Sequence, residues 1–412
     1  MRLQFLEKLL RNGTLFLHYP DGETKTLGQG EPKAHIHLRE TDALKRMFAR
    51  PELTVGETYM DGDWWPGEGG LLALFELYFA NGGDFDDNQW LALGWRLLEP
   101  LVKINTRRRA RKNVRHHYDI GPDLFHRFLD QDLQYSCAYF KTPNLTLEQA
   151  QQAKCEHIAR KLLLKPGDRV LDIGSGWGGM GLHLARNHDV DVTGLTLSDD
   201  QYNESNKRAE EAGLAKRVRF LKEDYREHGD ASGKDAYDAI VSVGMFEHVG
   251  QPQYQTFFNH VARLLKTSGR SLIHSIGLTT EATGGGQEWI RKYIFPGGHI
   301  PSLSEAALPI ERSSLVLSDL EVWRLHYAET LKNWNERFQQ HREEFKERLG
   351  ERFCRMWEFY LLSCQAGFRW GNLVVFHMQL AHSNSTIPIT RDYLYQPEPQ
   401  RVGAPQEACQ AS

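Results

Sequence analysis

Val170-Leu171-Asp172-Ile173-Gly174-Ser175-Gly176-Trp177-Gly178-Gly179 reads as a strand running straight into a glycine-rich turn and then a helix. Glycine recurs in such a turn because the backbone must approach a ligand where a side chain would intrude. One fold that uses it binds dinucleotides and cradles pyrophosphate at the helix N-terminus. An acid inside the turn would repel that diphosphate. Asp172 is such an acid, and it suits S-adenosylmethionine, which is zwitterionic and carries net positive charge. Asp172, Gly174, Gly176 and Gly178 are therefore candidate cofactor contacts, and the turn points to a methyltransferase.

The rest of the chain agrees with that fold. Arg169 to Ile173, Val190 to Leu197, Val218 to Leu221, Ala239 to Val243 and Ser271 to Ile276 are short β-rich runs separated by helical stretches. That alternation predicts a doubly wound parallel sheet. Second strands of such folds usually end in an acid for the ribose hydroxyls. This one ends Thr196-Leu197-Ser198, with acids only at Asp199 and Asp200. Thr196 and Gln201 offer neutral groups for the same hydroxyls, or simply cap the following helix. Tyr135, Ser136, Asp224 and Tyr225 complete the candidate cofactor set.

Ahead of this domain, Thr14 to Tyr19 and Glu23 to Leu27 flank Pro20-Asp21-Gly22 and predict a hairpin. Leu71 to Phe79 is apolar on nearly every face, so it is a buried helix or one that meets an apolar partner; Asn81-Gly82-Gly83 stops it. Leu147 to Leu164 is helical by pattern. Downstream, Leu331, Trp334, Phe338, Phe345 and Leu349, then Phe353, Trp357, Tyr360 and Cys364, predict two amphipathic helices, and Leu373 to Leu380 a last strand. The expected domains are 1–100, a smaller α+β domain that meets lipid; 101–115, a basic linker; 116–395, the catalytic domain; and 396–412, a flexible tail.

No window reaches the roughly 18 consecutive apolar residues of a membrane span, and residues 1–13 lack the separate charged and apolar regions of a secretory signal. A cytoplasmic protein is expected. Cys137, Cys155, Cys354, Cys364 and Cys409 form no Cys-x-x-Cys pair, so thiols are expected and no metal site. The net charge of -4 argues against a nucleic-acid footprint, although Arg107, Arg108, Arg109, Arg111, Lys112 and Arg115 form a local basic cluster. Neither Asn-Pro-Pro-Tyr nor Asp-Pro-Pro-Tyr, the amino-methylation signatures of nucleic-acid methyltransferases, occurs.

Four further strings complete a pattern: Tyr135-Ser136-Cys137-Ala138-Tyr139-Phe140, Gly244-Met245-Phe246-Glu247-His248-Val249-Gly250, Ile273-His274-Ser275-Ile276-Gly277 and Tyr293-Ile294-Phe295-Pro296-Gly297-Gly298. With the glycine turn they resemble the cyclopropane-fatty-acid and mycolic-acid cyclopropane synthases, over about Arg115 to His382. Gly56-Glu57-Thr58-Tyr59-Met60-Asp61-Gly62-Asp63-Trp64-Trp65 resembles the longer, phospholipid-type members. The resemblance implies a Rossmann-like class I methyltransferase fold and methyl transfer from S-adenosylmethionine to a cis alkene of a phospholipid acyl chain. Loss of a proton from the new methyl group to a bound bicarbonate then closes the ring.

By match of motif, the Cys137 and Ile276 amides with the side chains of Glu247, His274 and Tyr327 would hold that anion; Cys364 is a further candidate. Each has a plainer reading: Glu247 as a helix-start acid, His274 as a hydrogen-bonded core histidine, Tyr327 as packing and Cys364 as a small core hydrophobe. Phe246, Tyr293, Phe295, Trp370 and Phe376 are candidate walls of an acyl channel. The family also implies a homodimer attached peripherally to the inner leaflet. The basic cluster, Leu71 to Phe79 or Trp64-Trp65 would supply that contact. A sister enzyme leaving a methyl branch would share the first step, and a catalytically dead binding module would not need so complete a set.

Overall fold

In the computed structural model, which describes residues 7, 10–83, 122–229, 236–280 and 288–395, the predicted hairpin is the first feature met. β1 (Gly13–His18) runs antiparallel to β2 (Thr24–Gln29), and Gly22 takes the left-handed conformation that closes the turn. β1 also pairs in parallel with β3 (Lys33–Leu38). Helices α1 (Ala43–Met47) and α2 (Pro51–Met60) follow, and β4 (Trp64–Pro66) completes a sheet of order β2-β1-β3-β4. Helix α3 (Gly70–Ala80), the predicted apolar helix, covers this sheet with Leu71 and Leu77 buried. Its remaining face is half-buried and meets the second domain, where Phe75 sets its ring edge-on to Phe359.

That domain begins with α4 (Pro122–Phe128) and α5 (Leu147–Leu162). A capping box fixes the start of α5, because Thr146 accepts from the Gln149 amide while the Gln149 side chain accepts from that of Thr146. The helix stops two residues short of Leu164, where Leu163 turns left-handed. Then come β5 (Arg169–Ile173), α6 (Gly179–His188), β6 (Asp191–Thr196), α7 (Asp199–Glu211), β7 (Val218–Lys222), β8 (Tyr237–Val243), α8 (Tyr254–Leu264) and β9 (Leu265–Leu278). The chain continues through α9 (Glu288–Tyr293), α10 (Leu303–Glu311) and β10 (Val316–Trp323). It closes with α11 (His326–Gln340), α12 (Arg342–Leu349), α13 (Glu351–Arg369) and β11 (Leu373–Ala381).

The seven strands take the order β10-β11-β9-β8-β5-β6-β7, parallel from β5 to β9, with β11 antiparallel to both its neighbours. Chain direction across the sheet reverses between β5 and β8, and open α/β sheets bind ligands outside the carboxyl ends of the strands at that point. The predicted C-terminal helix pair is three helices. The first breaks at His341, yet Phe338 and Phe345 on either side still stack at 5.4 Å, so the apolar spacing continues through the break. Beneath the sheet, Glu156 on α5 bonds Arg160 and the His188 ring of α6, with His183 alongside. Its charge is already matched, and the cluster ties α5 to α6.

Candidate active site

The cleft at the switch point is lined by the glycine turn, the ends of β6 and β8, and the stretch Leu133 to Ser136. Gly174 has φ 84°, and a Cβ there would lie 2.7 Å from the Met245 Cβ. Gly176 is also left-handed and faces open space. Asp172 is buried behind the turn with Oδ2 unpartnered among the described residues, and burial pushes its carboxyl up to about 7 although Lys154 opposes the shift. An orphaned buried carboxylate oxygen beside a bare glycine backbone fits a ligand that brings its own cationic donor. Thr196 and Gln201 line the cleft and bond each other at 2.8 Å. Asp224 is gripped by Arg226 through two contacts of 2.8 and 2.6 Å, and Tyr225 lies next to it.

Tyr135, Ser136 and Cys137 sit on a loop pinned from two sides. From α5, Gln151 donates to the Ser136 carbonyl and the buried Lys154 ammonium donates to Ser136 Oγ at 2.8 Å and Gln134 Oε1 at 2.6 Å. From α11, Thr330 Oγ1 accepts from the Ala138 amide at 3.0 Å. Tyr135 in turn shares a 2.7 Å hydrogen bond with Tyr360 on α13. Tyr327 is buried against Phe368 and Trp334, and its hydroxyl feels Tyr135, Cys137, Glu247 and Cys364. Burial raises its pKa, so it remains an O–H donor.

Glu247 follows β8 on a short 3-10 turn. Its Oε1 accepts from the Ile276 amide at 2.6 Å, while Oε2 is buried with no partner among the described residues. Burial pushes this carboxyl up to about 7. His274 precedes Ile276 by two residues on β9, so the two side chains share a face of the sheet; its Nδ1 lies 2.7 Å from His377 Nε2. The Cys364 thiol is pushed up to about 12 by burial and stays protonated.

The geometry is a cofactor cleft with a buried cluster of Cys137, Glu247, Tyr327 and Cys364 behind it. Residues 105–378 match the family model described as mycolic acid cyclopropane synthetase, and residues 4–89 match a domain of unknown function. The chain is 41% identical over 347 residues to the cyclopropane-fatty-acyl-phospholipid synthase of Escherichia coli, covering 82% of this chain and 86% of that one. It belongs to the mycolic acid cyclopropane synthetase family. It is thus an enzyme of the S-adenosylmethionine-dependent methyltransferase class. A tuberculostearic acid methyltransferase of Mycobacterium tuberculosis is 36% identical over 387 residues, covering 89% of this chain and 87% of that one. Among solved structures, the cyclopropane synthase MmaA2 of Mycobacterium tuberculosis superposes with TM-score 0.61 at 32% identity, over 66% of this chain and 98% of that one. The mycolic acid cyclopropane synthase CmaA1, solved with SAH and CTAB, also gives 0.61, at 31% identity over 66% and 97%.

Membership in this cyclopropane synthetase family sharpens what the structure changes. Tyr135, Ser136, Asp172, Gly174, Gly176, Thr196, Gln201, Asp224 and Tyr225 all line the cleft, but Gly178 does not. A Cβ on Gly178 would lie 2.7 Å from Phe220, so that glycine serves helix–sheet packing. The Ile276 amide is engaged by Glu247 and is not an open anion donor. Cys137, Glu247, Tyr327 and Cys364 do come together. Phe246 and Phe376 are not channel walls: both are buried in the core around Tyr254 and Met378. Tyr293 donates to Glu57 of α2, joining the two domains. Trp64 is 2% exposed and cannot enter a bilayer, whereas Trp65 is 44% exposed. Arg107 to Arg115 and Cys409 lie outside the described residues.

Sequence reasoning missed Lys154 and His248. A lysine in mid-helix looks like a solvated cation, and nothing in its neighbourhood advertised burial. His248 lines the cleft and is held neutral, its pKa pushed down to about 4 by burial. Its signal was present, since it adjoins Glu247 within one of the strings that carry the resemblance.

Proposed function

We propose that the enzyme is a cyclopropane-fatty-acyl-phospholipid synthase, acting on the cis double bond of a phospholipid acyl chain. What carries the reading is the buried Glu247 carboxyl, with its unpartnered Oε2, next to a cofactor cleft in a chain so close to the Escherichia coli synthase. S-adenosylmethionine supplies an electrophilic methyl group. The alkene π pair forms the new C–C bond as the C–S bond breaks, leaving positive charge on the other alkene carbon. Bound bicarbonate would supply the base that takes a proton from the new methyl group, whose C–H electron pair then closes the ring on the cationic carbon.

The residues divide that work. Asp172 Oδ2 accepts from the ammonium of the methyl donor; Thr196 and Gln201 take its ribose. Glu247, oriented by the Ile276 amide, would accept the bicarbonate O–H. Tyr327 O–H, the Cys137 amide and His274 would donate to the anion, and such preorganised donors typically contribute ~10²- to 10³-fold each. The protonated thiol of Cys364 has no step to perform. Bilayer substrate requires surface attachment, to which Trp65 and the basic cluster suit the inner leaflet; the homodimer that the family resemblance implies belongs to the same reading.

A methyl-branched product is the second reading, favoured by the 36% identity to the tuberculostearic acid methyltransferase. Incubation with S-adenosylmethionine and vesicles of a monounsaturated phospholipid separates them. A fatty acid gaining one CH2 as an intact ring supports the synthase, and a branched chain of the same mass that still carries a carbon–carbon double bond supports the alternative. Unchanged lipid sinks both.

A further inference from the structure

His274 and His377 are register partners on β9 and β11, both buried, and joined by a single 2.7 Å contact between Nδ1 of the first and Nε2 of the second. Trp323 lies over His377 at 3.9 Å and meets the His274 ring edge-on at 5.7 Å, sealing the pair from water. Burial holds both imidazoles neutral, and the nearby Lys154 and Lys161 ammoniums act in the same direction. Each ring therefore carries one N–H, and one proton lies between the two.

That proton has two possible owners. If His274 Nδ1 carries it, His377 must accept at Nε2 and hold its own proton on Nδ1. His377 Nδ1 is buried and has no partner among the described residues, so this arrangement strands an N–H donor. If His377 Nε2 carries it, His377 Nδ1 is left as a bare lone pair and the remaining N–H falls on His274 Nε2, which unlike His377 Nδ1 is not a sealed, unpartnered atom. Orphaned buried N–H groups are rarer than under-satisfied acceptors, and an unmade donor costs its full desolvation. The second arrangement wins.

We infer that His377 is a positioning residue: its Nε2–H fixes His274 as the tautomer whose Nε2 carries a proton and donates to the anion beside Glu247. The inference rests on the proposed anion pocket and deepens it. The opposite tautomer would point a lone pair at the anion and repel it, so the shared proton decides whether His274 assists or opposes binding.

The tautomer is read by nitrogen NMR on the full-length protein labelled with 15N-histidine, the His274 signals being identified by their loss in His274→Asn. The expected result is a protonated Nε2 and a bare Nδ1; the reverse overturns the inference. Activity supplies the second readout. His377→Phe keeps a ring under Trp323 and removes both nitrogens, and should lower kcat by ~10²-fold with the KM for S-adenosylmethionine little changed. His377→Gln places an amide N–H where Nε2 stood and should restore most of the loss. Equal loss in both variants, each folded by its melting profile, overturns the inference. If either variant fails to fold, the wild-type tautomer still decides. A protonated Nε2 in an enzyme whose rate ignores bicarbonate would leave the tautomer standing and remove the anion pocket instead.

Discussion

Asp172 and Glu247 are both buried carboxyls pushed up to about 7, but they answer to different chemistry. In the proposed reading Asp172 would meet the cationic methyl donor, which binds the ionised form. Below pH 7 the free enzyme holds a proton there that binding must expel, so affinity for S-adenosylmethionine should fall as pH drops, by up to about tenfold per unit. Calorimetry at pH 6 in buffers of different protonation heat should show proton release, which Asp172→Asn should abolish. Glu247→Gln keeps the bulk and the Ile276 contact but loses the charge; it should leave cofactor affinity intact and lower the rate by ~10²-fold or more. Normal turnover in that variant would assign the proton to another group. The positions of these acids were legible because Asp172 lies in the strand that enters the glycine turn and Glu247 just beyond the carboxyl end of β8. That Ile276 orients Glu247 was not, since a backbone amide's partner is set by how β9 meets the turn after β8.

Among the elements, the glycine turn separates two functions that its sequence blends. Gly176 faces open space and Gly178 faces Phe220, although both are left-handed. Gly176→Val should abolish cofactor binding while lowering the denaturant midpoint only by the left-handed strain, about 1–3 kcal/mol, since no neighbour is displaced. Gly178→Val should destabilise the fold by roughly 2–4 kcal/mol through strain and overpacking, visible as a lower midpoint. If the two variants behave alike, this division is wrong. β5 was legible to the residue because a tight turn and an apolar run bound it on both sides. β10 was missed: Ser318, Asp319 and Glu321 interrupt its pattern, and its flank is only half covered. The break at Gly350 showed in the sequence, but that at His341 did not, because Phe338 and Phe345 keep helical spacing across it.

At the scale of the whole molecule, the two domains meet through a motif that first read only as a resemblance: Glu57 accepts from Lys292 and Tyr293, and Tyr59 donates to Glu358. Among the described residues no helix is long and apolar enough to cross a membrane. Replacing Arg107, Arg108, Arg109 and Arg111 with Gln should weaken binding to anionic vesicles most at low salt, and Trp65→Ala should weaken it at every ionic strength. Binding that survives both changes would place the lipid contact elsewhere. The most direct test of the account uses S-adenosylmethionine with a fully deuterated methyl group. The synthase should deliver a ring that retains two of the three deuterons, the third having left with the base. A product retaining all three would contradict ring closure at this site.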